Sequence, residues 1–389
     1  MSIPISPRTP STISLPTGFE FGQVSPRPDK LLITPLPSLG PLAAFVGTWN
    51  GSGFNTIFRP DSPVTPTVLP IPVSGSDNVL ELNLTSESLA FSPSLGAVPN
   101  RGMVQGDAFL NGVPYLQSIT DVTNPAQHVG IHVEPGLWVI VPPTTDPAEG
   151  QTLVRMASIP HGTTIEAQGT STTISGAPTI PPVDITPFFT IGGAPNRFIS
   201  QTAAAAGTAR IPQDLTSFIS AGTITQAILD DPNTVLRNHI SGQKITATTI
   251  ISVSTSPAEP LFGGGTDNIA FLLGDNNTPP IRPNAQTLQL TATFWIETVE
   301  HTILVPIFTP GHPPLQIKGT PSVPGQPVPI FSVTPPTAIP IPRPITVTFT
   351  QIQYSQTVLL NFNTLTWPHV SVATLVPADA VTVPPSAWS

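Results

Sequence analysis

Residues 345–376 read ITVTFTQIQYSQTVLLNFNTLTWPHVSVATLV, and their alternation of apolar and polar side chains is typical of β-strands. Apolar residues occupy odd positions up to Phe349 and even positions from Ile352 onward. The alternation therefore changes phase near Gln351, which predicts a β-bulge or a tight turn at that point.

Similar segments recur along the whole chain, as in Asn78–Phe91, where leucines alternate with more polar residues. Strands are predicted over 45–58, 78–91, 114–121, 129–142, 151–158, 163–174, 244–255, 267–273, 286–305, 345–362 and 367–376. Because helices do not alternate with these strands, a parallel sheet is not expected. The predicted fold is mainly β, an antiparallel β-barrel of calycin type, since closure removes unpaired strand edges. A two-sheet sandwich is the alternative.

One region has a helical period instead. Pro212–Leu229 and Pro232–Ile240 are predicted as two short helices. Asp231 is the expected N-cap of the second helix, and Gly242 is expected to end it. A small helical insertion over about 211–242 therefore separates the β segments.

The chain has 389 residues, of which 52 are proline. Residues 1–37 are rich in Pro, Ser and Thr, and we expect an extended N-terminal arm there. Residues 38–389 are expected to form a single enlarged barrel domain. Within it, a Pro- and Gly-rich connection covers 175–210, and a Pro-rich loop covers 306–344.

Composition narrows the classes of function. The chain has no cysteine, which excludes disulfides, thiolate metal sites and cysteine nucleophiles. A formal net charge of −9 with 13 basic residues argues against nucleic-acid binding. No apolar run is long enough for a membrane span, and the N-terminus lacks the apolar segment of a signal peptide. We therefore expect a soluble, cytoplasmic protein; its oligomeric state is left open.

Four motifs occur in order along the chain. They are Gly47–Gly53 (GTWNGSG), His132–Trp138 (HVEPGLW), Met156–Gly169 (MASIPHGTTIEAQG) and Trp367–Leu375 (WPHVSVATL), the last preceded by Tyr354 in its own strand. Together they resemble the nitrobindin family, a calycin-like β-barrel family that binds haem. Val139 stands where that family has an arginine, and most of the extra length lies between Gly169 and Tyr354.

The resemblance implies that His369, in the last strand, is the proximal ligand of a haem b iron. The chemistry of the residues agrees, because cysteine is absent and only two tyrosines and three methionines compete with seven histidines. Ser371 and Ala373 share the face of His369 and are small enough to leave room for a flat ring. Val370 and Val372 are expected to face the opposite way, against a covering segment.

Three further residues are candidates for contact with the cofactor. Trp49 either lines the ligand site or closes the bottom of the barrel. His132 shares a strand face with Glu134, as a support for a ligand site or as a polar pair in the barrel wall. His161 lies in a Pro-His-Gly turn that faces solvent or approaches the barrel mouth.

The leading hypothesis is a haem-binding barrel that holds ferric iron in an apolar cavity and acts on NO, peroxynitrite or a similar small oxidant. No distal acid–base residue is evident in the sequence. The alternative is a cofactor-free calycin-like protein that binds or converts a hydrophobic small molecule, as an isomerase or cyclase. A structural protein without pocket chemistry is the third possibility. Arg59, Arg101, Arg155 and Arg197 are scarce charges, any one of which is a candidate partner for a ligand carboxylate.

Overall fold

The computed structural model describes residues 37–61, 63, 65–67, 78–191, 194–197, 211–212, 216–258, 261–275 and 282–388. The predicted arm at 1–37 lies outside these ranges except for Pro37, so it stays a prediction. Within the described ranges, no helix is both long and apolar enough to cross a membrane.

Ten long strands form the body of the structure. They are β1 (Gly47–Pro60), β2 (Asn78–Phe91), β3 (Ala108–Asp121), β4 (Val129–Val141), β5 (Thr152–Ile159), β6 (Thr163–Ser175), β7 (Lys244–Ser254), β8 (Gln286–Val305), β9 (Arg343–Phe362) and β10 (Leu365–Pro377). Each strand pairs antiparallel with the next along the chain, and β10 pairs antiparallel with β1. This closure confirms the predicted antiparallel barrel and excludes the two-sheet sandwich.

The barrel closes where β1 approaches β10 very closely. A Cβ atom on Gly51 would lie 1.9 Å from the carbonyl oxygen of Thr374, and one on Gly53 would lie 2.1 Å from that of Val372. No side chain fits at either position, so the repeated glycines of β1 are needed for close approach of the last strand.

Shorter elements decorate the barrel. Short strands cover Val98–Asn100, Thr144–Thr145, Ala148–Glu149, Phe188–Ile191, Ala194–Arg197, Ile211–Pro212, Gly264–Asn268, Leu315–Lys318, Ile330–Val333 and Val381–Thr382. The α-helices are α1 (Thr216–Ala221), α2 (Gln226–Asp230), α3 (Thr234–Ile240) and α4 (Ala270–Leu273), and 3₁₀ helices cover Gly40–Phe45 and Pro385–Trp388.

The helical insertion lies against the outer wall of the barrel. Ile228 of α2 and Leu236 of α3 belong to one buried cluster with Trp295, Val370 and Val372. The outer faces of β8 and β10 are therefore buried as well as their inner faces. This confirms both the small helical insertion and the covered position of the two valines.

The helix boundaries differ from the prediction. The first predicted helix divides into α1 and α2, because Gly222 adopts a φ of +69° that ends α1. Asp231 is the C-cap of α2 rather than the N-cap of α3, which begins only at Thr234. Gly242 follows the end of α3 with a φ of +78°, as predicted.

The predicted bulge near Gln351 is wrong. Strand β9 pairs with β8 without interruption there, and the irregularity in this pair lies between Thr287 and Gln289. The phase changes because β9 passes between two cores. Val347 packs outside the barrel beneath the short strands Leu315–Lys318 and Ile330–Val333, whereas Ile352 packs inside it.

Two other predictions need correction. The strand predicted at 267–273 is the end of a short strand, Gly264–Asn268, followed by helix α4, which ends at Gly274 with a φ of +61°. The loop predicted at 306–344 contains two strands of a separate small sheet. Both segments pack against the barrel, and such contacts override local sequence pattern.

Candidate functional site

One end and the centre of the barrel are filled by the protein's own side chains. The 3₁₀ helix Gly40–Phe45 caps this closed end, and Phe45 packs against Trp138 and Phe294 with ring centroids 5.7 and 5.8 Å apart. The indole Nε1 of Trp49 donates to the carbonyl of Phe45 at 2.7 Å. Trp49 therefore closes the bottom of the barrel and is not part of the candidate site at the other end.

The opposite end brings together the other three predicted residues, His132, His161 and His369. We call it the histidine end. Strand register places them there: Thr56 lies beside Val370 at the start of β10, Ile119 lies opposite His132, and His161 occupies the turn between β5 and β6. The imidazole centroids of His132 and His161 are 5.6 Å apart.

His369 lies in β10 opposite Val358, which belongs to the interior core cluster, so the His369 side chain faces the barrel interior. Its Nδ1 lies 2.7 Å from the carbonyl oxygen of Thr56. Because a carbonyl only accepts, Nδ1 carries the proton, and the lone pair is on Nε2. Within the described part of the chain, Nε2 has no hydrogen-bond partner.

Burial lowers the pKa of His369 to about 4, although the hydrogen bond to Thr56 acts in the opposite direction. The charges of His132 and His161 lower this pKa further. His369 is therefore a neutral imidazole at physiological pH, with its tautomer set by the backbone and one nitrogen available as a ligand.

The small neighbours of His369 share its face, as predicted, but one is hydrogen-bonded within the protein and the other is packed in the core. Ser371 Oγ accepts a hydrogen bond from the Asn55 amide at 2.6 Å. Ala373 is fully buried deeper in the core. The face of β10 on the core side of His369 is therefore occupied by the protein's own groups.

His132 and Glu134 are hydrogen-bonded, with 3.2 Å between Nε2 and Oε2. The side chain of Glu134 is fully buried, whereas that of His132 is 15% exposed. The pair thus connects the buried core of the barrel with its histidine end.

Arg155 supplies the charge that holds Glu134 in the core. Its Nη2 donates to Glu134 Oε1 at 2.6 Å, its Nε to the Tyr115 hydroxyl at 2.9 Å, and its Nη1 to Gln356 Oε1 at 2.6 Å. Its guanidinium also lies 5.6 Å from the centroid of the Phe294 ring. Each of the three guanidinium nitrogens of this buried cation thus donates to a partner.

Burial opposes ionisation of Glu134, but the Arg155 charge and hydrogen bonds from His132 and Tyr115 outweigh it and lower its pKa to about 2. The Arg155 pKa is raised above its usual range, since the attraction of Glu134 exceeds the effect of burial. The core therefore contains an ionised pair rather than two neutral groups.

A second buried carboxylate, Glu87, lies in the same interior. It accepts hydrogen bonds from the Tyr354 hydroxyl at 2.6 Å and from the Thr85 hydroxyl at 2.9 Å. Burial raises the pKa of Glu87 to about 7 despite these bonds. Unlike Glu134, it has no arginine within hydrogen-bond distance among the described side chains.

Only some of these buried charged residues were predicted from the sequence. Arg155 was one of the four arginines considered as partners for a ligand carboxylate, and the structure pairs it with the protein's own Glu134. Arg59 pairs with Glu81 and Arg101 with Asp107 near the surface, while the side chain of Arg197 lies outside the description. The role of Glu87 was missed because it lies on the parity opposite Leu80 and Leu82, and only closure of the barrel shows that this parity faces inward.

The donor set at the histidine end fits one axial ligand of a haem iron. His369 offers a neutral nitrogen whose ring is held through the other nitrogen, as metal-binding histidines usually are. Both tyrosines are hydrogen-bonded to buried carboxylates, Met103 is exposed, and Met156 lies on the outer wall. In the described ranges, no three acidic or histidine side chains converge to hold a bare metal ion.

Two cavities of about 450 and 580 Å³ lie on the outer wall. The first lies beside Pro181 and Asn233, and the second lies beside Met156 and Glu166. Neither is lined by a histidine, so neither belongs to the histidine end.

Comparison with known proteins found one similar crystal structure. No protein-family model and no curated protein matches the chain. The crystal structure of Rv2717c from M. tuberculosis is similar over 88% of this chain and 98% of its own, with 10% identity and a TM-score of 0.33. Neither value assigns a family or a function to this chain.

Proposed function

We propose that this protein binds haem b at the histidine end of its barrel, with His369 as the axial ligand of the iron. The observation that carries the proposal is the hydrogen bond from His369 Nδ1 to the carbonyl of Thr56, which leaves Nε2 available. A bound haem would supply an iron that takes small ligands such as NO or peroxynitrite.

The chain's own residues would contribute in three ways. The Thr56 carbonyl orients the His369 ring and makes the lone pair of Nε2 more basic, and therefore a stronger metal ligand. The filled interior, with Trp138 and Arg155 each 1% exposed, keeps water away from the inner side of the site. His132 and His161 line the end at which a small ligand would enter.

The alternative of an apolar ligand deep inside the barrel has less support. Calycin-like carriers need an interior volume for such a ligand. Here that space holds the rings of Phe45, Trp138 and Phe294, which contact each other. We therefore propose a ligand at the histidine end only.

Titration of the purified protein with haemin, followed by absorption spectroscopy, tests the proposal. We expect a sharp Soret band for the wild type that is lost in His369→Ala. His128→Ala, which removes an exposed histidine, should bind haemin like the wild type. Circular dichroism of each variant checks that the fold is retained.

A second variant separates ligation from folding. His369→Gly with added imidazole should recover the Soret band, because the free base can occupy the space of the lost ring. A wild-type spectrum that shows only free haemin, or a Soret band that persists in His369→Ala, contradicts the proposal.

A further inference from the structure

Glu134 is the meeting point of three hydrogen-bond donors in the barrel core. One carboxylate oxygen accepts from Arg155 and from the Tyr115 hydroxyl, and the other lies 3.2 Å from His132 Nε2. A buried carboxylate with all its partners in place holds its neighbours in one arrangement. Glu134 thus fixes the position of the His132 ring.

The ionised state of Glu134 also decides the tautomer of His132. An ionised carboxylate only accepts hydrogen bonds, so His132 Nε2 must donate to it. The lone pair of the neutral ring is then on Nδ1. A buried carboxylate that sets the tautomer of a histidine in this way is the arrangement found behind histidine bases in enzymes.

His132 lies at the end of the barrel where the candidate ligand would bind. The ring lies at the histidine end, with its centroid 5.6 Å from that of His161, and strand register places His369 at the same end. Its side chain is 15% exposed, whereas that of its partner Glu134 is fully buried, so the ring lies between the core and the surface of this end. A small ligand of an iron held by His369 would bind at this same end.

We propose that His132 is the proton acceptor for small protic ligands that bind at the histidine end, and that Glu134 and Arg155 are its positioning residues. The inference rests on the haem function proposed above. The step is a proton transfer alone: the bond between the ligand and its proton breaks, its electron pair stays with the ligand, and the proton bonds to Nδ1 of His132. Nothing is oxidised or reduced.

The binding rate of cyanide to the ferric haem complex tests this step, because hydrogen cyanide must lose its proton on binding. We expect association to slow by about 100-fold in His132→Ala and in His132→Gln. Glu134→Gln should slow it less, because the ring remains but is no longer held in one tautomer.

Two controls separate proton transfer from a change in access. Carbon monoxide carries no proton, so its association with the ferrous complex should be the same in the wild type and both His132 variants. His128→Ala, at an exposed position before β4, should leave cyanide association unchanged.

A readout without haem tests the positioning residues. In ¹⁵N spectra of the haem-free protein, His132 should be the Nε2–H tautomer in the wild type and a mixture of tautomers in Glu134→Gln. An Nδ1–H tautomer in the wild type would overturn the proposal.

The remaining outcomes distinguish the two proposals. If haem binds through His369 but cyanide association is unaffected by loss of His132, the proton-acceptor role is wrong and the haem function stands. If haemin does not bind the wild type, both are wrong.

Discussion

Replacement of Arg155 by methionine should lower the free energy of unfolding, because it leaves the buried charge of Glu134 without its partner. Methionine keeps much of the aliphatic volume of the arginine but removes the partner 2.6 Å from Glu134 Oε1. In the wild type, the pKa of Glu134 is lowered from its ordinary 4.5 to about 2, which corresponds to about 3 kcal/mol of stability at pH 7. Loss of one partner of a buried pair usually costs about 3–5 kcal/mol.

The pH dependence of the loss has a definite sign. In the wild type, the contribution of Glu134 is present above about pH 4.5 and disappears as the pH falls toward 2. In Arg155→Met, burial acts on Glu134 without the opposing charge, so the carboxyl binds a proton more readily in the folded state. The difference in unfolding free energy between wild type and variant should therefore grow as the pH rises from 4 to 7.

Urea unfolding followed by tryptophan fluorescence measures these differences. Arg59→Met is the matched control, because Arg59 forms an exposed salt bridge with Glu81, and it should cost less than about 1 kcal/mol. The double variant Arg155→Met/Glu134→Leu should be more stable than Arg155→Met alone, since no buried charge remains. A loss for Arg155→Met no larger than that for Arg59→Met would refute the reasoning.

Three further outcomes are expected. Burial raises the pKa of Glu87 to about 7, so its contribution to stability falls as the pH rises from about 4.5 to 7; Glu87→Gln should remove this decline, about 3 kcal/mol, in unfolding curves at the two pH values. Gly53→Ala should lower the unfolding free energy by about 1–3 kcal/mol because its Cβ would meet β10, whereas Gly130→Ala, with open space around it, should change it little. Burial lowers the pKa of His369 to about 4, so the ring of the haem-free protein stays neutral between pH 7 and 5; haemin added at either pH should give the same Soret band, and a band that forms only above about pH 6.5 would contradict a buried ring.

Most of the barrel strands could be predicted from the local sequence pattern. Strand β8 was predicted with the bounds that the structure has, and most other barrel strands agree within a few residues. Alternation is a property of short segments, because side chains on a strand point to opposite faces in turn. The predicted bulge at Gln351 failed for the same reason: β9 contacts two cores, and alternation alone cannot show that the buried face has changed.

The candidate site could be predicted from the sequence only in part. The sequence singled out His369, His132 and His161 separately, and the pairing of His132 with Glu134 followed from their shared strand face. Their meeting at one end depends on the registers of strands that are far apart in sequence. Trp49 belongs to another of the four motifs, but strand register places it at the opposite, closed end of the barrel.

The amino-acid sequence alone determined a cysteine-free, mainly β chain whose last strand carries a histidine among small and branched residues. Only the tertiary structure decided that the interior is filled, that Arg155 neutralises Glu134 there, and that Thr56 holds the Nδ1 proton of His369. These contacts join residues up to 313 positions apart. Local patterns report the face of a strand, but the partner across the barrel is set by closure, and closure depends on all ten strands together.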